Sequence, residues 1–118
     1  MNQKITKDIV ADILNIVLCI AAKDGVLSDS ELDKSLEEFP HFFDKKITKN
    51  ELNLIVDNFF NSNDQIEEYL DRITDDDMKP PILQLAIISA SADGLDIREN
   101  FAFQKALTIW EIELKDIS

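Results

Sequence analysis

Glycine occurs twice and proline three times in 118 residues, too few for a loop-rich or all-β chain. A single cysteine, Cys19, excludes an internal disulfide; inside an apolar run it reads as a small core residue of a reducing compartment. A single histidine, His41, excludes sites that need two imidazoles, and with one Cys it also excludes a Cys-rich zinc cluster. Basic residues number 12 against 24 acidic ones, a net charge of −12 that opposes phosphate backbones and argues against nucleic-acid binding. Such a charge suits cations, basic protein surfaces or plain solubility. The longest apolar stretch, Ile13 to Ala22, is interrupted by Asn15 and is about half what a bilayer-spanning helix needs. Lys4 and Lys7 precede it, but Asp8 and Asp12 stand where a signal peptide tolerates no acids, and Leu18 is too large for a lipoprotein cleavage site before Cys19. A soluble cytoplasmic protein without membrane insertion is expected.

What is present is a globular composition, 45% hydrophobic and 31% charged, in one unit spanning residues 1–118. Apolar spacing predicts helix almost throughout. Helix 1 is expected from about Thr6 to Ala22, with Asp24-Gly25 ending it. Ser28-x-x-Glu31 reads as a capping box for helix 2, which Pro40 is expected to stop. Thr48-x-x-Glu51 opens helix 3 and Ser62-x-x-Gln65 helix 4; Pro80-Pro81 marks the start of helix 5. Asp96-x-x-Glu99 opens helix 6, along which Phe103, Ala106, Leu107, Trp110 and Leu114 keep helical spacing. His41, in Phe39-Pro40-His41-Phe42-Phe43, falls in a packed interhelix segment. The acids Asp75-Asp76-Asp77 complement the positive end of helix 5. The expected fold is all-α, a compact single-domain bundle of about six helices.

The informative feature is a repeat. Ala21-Ala22-Lys23-Asp24-Gly25-Val26-Leu27-Ser28-Asp29-Ser30-Glu31 has a partner in Ala90-Ser91-Ala92-Asp93-Gly94-Leu95-Asp96-Ile97-Arg98-Glu99. Each copy has small residues at a helix end, then Asp-Gly, an apolar residue and a capping-box helix start. Both glycines of the chain are used here. Two similar helix-turn-helix hairpins suggest a pseudo-symmetric bundle in which helices 1 and 5 cross centrally. These turns resemble the A-x-D-G-x-h-s-x-x-E mark of the TerB and TerB-like family of tellurite-resistance proteins. The first copy fits the pattern, while the second is one residue shorter between Asp93 and Glu99. The resemblance implies a compact helical bundle without known catalysis, acidic residues able to bind divalent cations, and a link to stress or defence.

Asp24, Glu31, Asp93, Asp96 and Glu99 are the candidate metal ligands, hard oxygen donors suited to Ca²⁺, Mg²⁺ or Mn²⁺ rather than zinc. The same residues also read as helix caps and turn residues. Val26 and Leu95 occupy ligand positions of an EF-hand loop, so neither turn is one. No phosphate-binding Gly-rich loop is present. Ser28, Ser30, Ser89 and Ser91 lack the signature of an activated nucleophile, and the neighbours Glu37-Glu38 and Glu67-Glu68 diverge around a helix. The expectation is therefore no enzyme, but a binding module for a cation, a protein partner or both. The alternative is a small acidic inhibitor or immunity protein, with Asp29, Asp33, Glu37, Asp64, Glu67 and Asp71 as one negative face for a basic partner. A third reading has one aromatic of each pair, Phe42-Phe43 and Phe59-Phe60, meeting a second subunit in a homo-oligomer.

Overall fold

The computed structural model describes residues 7–21, 29–43, 45–91 and 100–117. Six α-helices carry the fold: α1 Lys7–Ala21, α2 Asp29–Phe43, α3 Lys49–Phe60, α4 Ile66–Arg72, α5 Lys79–Ser91 and α6 Phe101–Trp110. Short 3₁₀ turns at Asp76–Met78 and Leu114–Asp116 complete it, and no strand occurs among the described residues. The radius of gyration is 12.9 Å, close to the roughly 13 Å expected of one folded unit of this length.

Two helices are wrapped by the rest. No residue of α1 from Ile9 to Ala21 is exposed, and none of α5 from Lys79 to Ala90. A helix apolar nearly all round needs neighbours all round. Accordingly α5 packs across α1 and α2, while α1 also packs against α3, α4 and α6. The central contact of α1 with α5 is the one the repeat predicts. α2 lies mainly on α5 and α6 mainly on α4 and α1, so each outer helix of a repeat reaches into the other repeat. One core results, with Ile13, Leu14, Ile16, Val17, Ile20, Phe39, Ile82, Leu83, Leu85 and Phe103 among its members.

Helix boundaries follow local chemistry, and three of them differ from the sequence expectation. Thr48 does cap α3: its Oγ1 accepts from Glu51 N and Glu51 Oε1 accepts from Thr48 N, both at 3.1 Å. Pro40, however, does not stop α2, which continues to Phe43. Proline there removes one ladder bond near the helix end, whereas the following turn buries Phe43 with its ring 5.0 Å from that of Phe39. His41 thus lies in a helical turn and is itself exposed, 3.8 Å from Glu38.

Ser62 does not cap α4. Its hydroxyl accepts from Asp64 N at 3.0 Å, two residues on, which makes a local turn and delays the helix until after Gln65. α6 as described begins at Phe101 and is capped by Asn100, whose Oδ1 accepts from Phe103 N at 2.9 Å; the Asp96/Glu99 box lies outside the described residues. The same helix stops at Trp110, before the Leu114 that keeps its spacing. Glu111 takes a left-handed conformation (φ 55°), and Ile112 N donates back to Leu107 O at 3.0 Å. No glycine announces that stop.

Asn100 is 2% exposed, and its Nδ2 donates to Ile20 O at the end of α1 across 2.7 Å. One side chain thereby satisfies an orphan carbonyl of α1 and an orphan N–H of α6. Asn100→Ala is expected to cost about 2–4 kcal/mol, and Asn100→Ser, which keeps a cap but not the reach to Ile20, about 1–2 kcal/mol. Urea denaturation of both variants checks this; a serine variant as stable as the parent would show that the Ile20 bond contributes nothing.

Candidate functional site

Of the five acids proposed as ligands, Asp24, Asp93, Asp96 and Glu99 lie outside the described residues. Glu31 is described: it sits in the first turn of α2, 5% exposed, and is not without a partner. Among the described residues no group of three or more His, Cys, Asp or Glu is placed to hold a metal ion.

The described flanks of both Asp-Gly segments are nevertheless built in detail. At the first flank, the end of α1 meets the start of α6 through Ile20 and Asn100. At the second, the end of α5 meets α2 through Ser89 and Ser35, whose hydroxyls are 2.9 Å apart and buried. Ser35 also donates to Glu31 O at 2.9 Å. A hydroxyl has one hydrogen, so Ser89 must donate to Ser35 and Ser35 to the carbonyl. This fixed relay marks both serines as structural rather than nucleophilic. Ala21 and Ala90 are buried beside these contacts, small enough for backbones to approach closely. Ser35, Ser89 and Asn100 carry no motif, because their partners are far away in sequence.

The acidic outer surface divides by element. Asp29, Asp33 and Glu37 are exposed on α2, Glu67 and Asp71 on α4, and Asp64 in the loop before α4. Around α4, Arg72 bonds Asp64 at 3.1 Å and lies 3.8 Å from Asp12. Glu67 reaches Lys105 at 3.4 Å, whereas Glu68 stands beside Asp64. The sequence neighbours Glu67 and Glu68 do diverge. The closeness of Glu68 to Asp64 holds the Asp64 carboxyl below its ordinary value, with Arg72 adding to the effect, and raises that of Glu68.

Cys19 is half-buried against the core rather than within it. Burial and the Glu67 carboxylate push its thiol up to about 12, which leaves almost no thiolate for chemistry at neutral pH. Of the aromatic pairs, Phe43 is buried and Phe42 half-buried; Phe59 is half-buried and Phe60 is 48% exposed. No helix of the described residues is long and apolar enough to cross a membrane. The chain matches no protein-family model, no curated protein and no solved structure.

Asp12 offers a pH handle. Burial raises its pKa, and the nearby Arg72 only partly offsets this. A carboxyl whose pKa is higher folded than unfolded weakens the fold as pH rises through its ordinary value of 3.8 and on to the raised one, and the penalty is complete above both. Asp12→Asn is therefore expected to melt above the parent at pH 7, with the gap closing as pH falls towards 3.8. Thermal melts across that range test it; a pH-independent gap would show that desolvation of Asp12 is not its cause.

Proposed function

We propose that the chain is a non-catalytic, TerB-like helical module that acts by binding a divalent cation, a protein partner or both, in a stress or defence response such as tellurite resistance. One observation carries the reading. The flanks of both Asp-Gly segments are tied across the repeats by buried polar bonds, Asn100 to Ile20 and Ser89 to Ser35. Such anchoring fixes where each acidic segment leaves one helix and joins the next. Glu31 is buried in the first turn of α2, at the edge of the first segment. Asp24, Asp93, Asp96 and Glu99 would complete an oxygen-rich set for Ca²⁺, Mg²⁺ or Mn²⁺.

The second reading, a small acidic inhibitor or immunity protein, is supported by the exposed carboxylates Asp29, Asp33 and Glu37 on α2, Asp64 before α4, and Glu67 and Asp71 on α4. It predicts association with a basic partner that weakens steeply with salt.

Calorimetric titration of the whole chain with Ca²⁺, Mg²⁺ and Mn²⁺ tests the cation half. Binding heat and a raised melting temperature are expected, both lost when Asp24 and Asp93 are changed together to Asn. No heat and no melting shift with any of the three ions would remove that half.

A further inference from the structure

The bundle has an open cavity of about 400 Å³ where α1, the end of α3, the α3–α4 loop and the starts of α4 and α6 meet. Cys19, Phe59, Phe60, Ile66 and Ala102 give it an apolar wall, and Asp64 stands at its polar edge. Phe59 and Phe60 meet edge to face, with centroids 5.2 Å apart, so the half-buried ring braces the exposed one. Phe101, next to Ala102 in the chain, is 85% exposed. Single exposed apolar residues are ordinary, but Phe60 stands in the wall of an apolar cavity, where an exposed ring suits an interaction surface.

The charge around this cavity selects the occupant. Asp12, Asp64, Glu67 and Glu68 are opposed by Arg72 and Lys105, four carboxylates to two cations. A second copy of the chain would bring a further net charge of −12 and is disfavoured. The cavity lies between helices, the setting of the groove mode, in which an amphipathic helix lays its apolar face between helices.

We propose that this cavity is the docking site for a cationic amphipathic helix of a partner protein, one large apolar side chain entering between Phe60 and Ala102 and flanking Lys or Arg residues meeting Asp64 and Glu67. The proposal rests on the protein-binding part of the function above and is independent of its cation part.

The test uses a fluorescent Leu/Lys amphipathic peptide of roughly 14 residues, long enough for a helix to persist. Its controls are a Ser/Lys peptide of equal charge and a Leu/Glu peptide of equal apolar face, and anisotropy is read against the whole chain at low and high salt. The Leu/Lys peptide is expected to bind best and to weaken with salt. Phe60→Ser and the pair Asp64→Asn/Glu67→Gln should each weaken it about tenfold, while Leu54→Ser, at an apolar residue exposed elsewhere on α3, should not. Circular dichroism melts confirm that every variant is folded. No binding, equal binding of the Ser/Lys or Leu/Glu peptide, or equal loss in Leu54→Ser overturns the proposal. Tight Leu/Lys binding that Phe60→Ser leaves untouched keeps a protein-binding module but removes it from this cavity. Metal heats lost while peptide binding persists would overturn the cation reading alone.

Discussion

Water cannot be shared by two helices that are apolar on nearly every side, and the rest of the bundle is arranged to keep it from α1 and α5. Laid across each other, they cover one flank apiece. α2 and the turn at Asp76–Met78 cover more of α5, and α3, α4 and α6 cover more of α1. Burial at about 25 cal/mol per Å² rewards this arrangement without regard to direction, so apolar area alone would tolerate many ways of crossing the two helices.

Direction is set by the few polar groups that go under with them. A buried hydroxyl or amide without a partner costs about 1–3 kcal/mol, so the Ser35–Ser89 pair and the Asn100–Ile20 bond penalise any slipped arrangement of α2 on α5 or of α6 on α1. Trp110 adds a third such bond, its Nε1 donating to Leu70 O at 3.3 Å between α6 and α4. The first two of these bonds lie where one repeat reaches into the other. The architecture is therefore two interlocked halves rather than two hairpins set side by side.

Helix number and the faces turned inward were legible in the chain because they depend on local spacing. Ile13, Leu14, Val17 and Ile20 recur at helical intervals and are buried. The Thr48 box was legible for the same reason, since both of its bonds close within four residues. Pro40, Ser62 and the spacing that runs on to Leu114 mislead because each local signal loses to something else: Phe43 burial, a competing hydroxyl turn, and a helix end built without glycine. The site divides in the same way. The repeated acids announce themselves by pattern, whereas Asn100 and Ser89 have partners 80 and 54 residues away, and residues of four helices and a loop make the cavity wall. Nothing local encodes such contacts.

The wrapping of α1 also bears on how the chain is made. Its chief cover, α5, is synthesised about 60 residues later, a wait of roughly 3–12 seconds at ordinary elongation rates. Throughout that interval the nascent protein carries a greasy rod with no permanent shelter. Its early life at the ribosome is the period when chaperone capture or clumping with neighbouring chains competes most directly with reaching the native state.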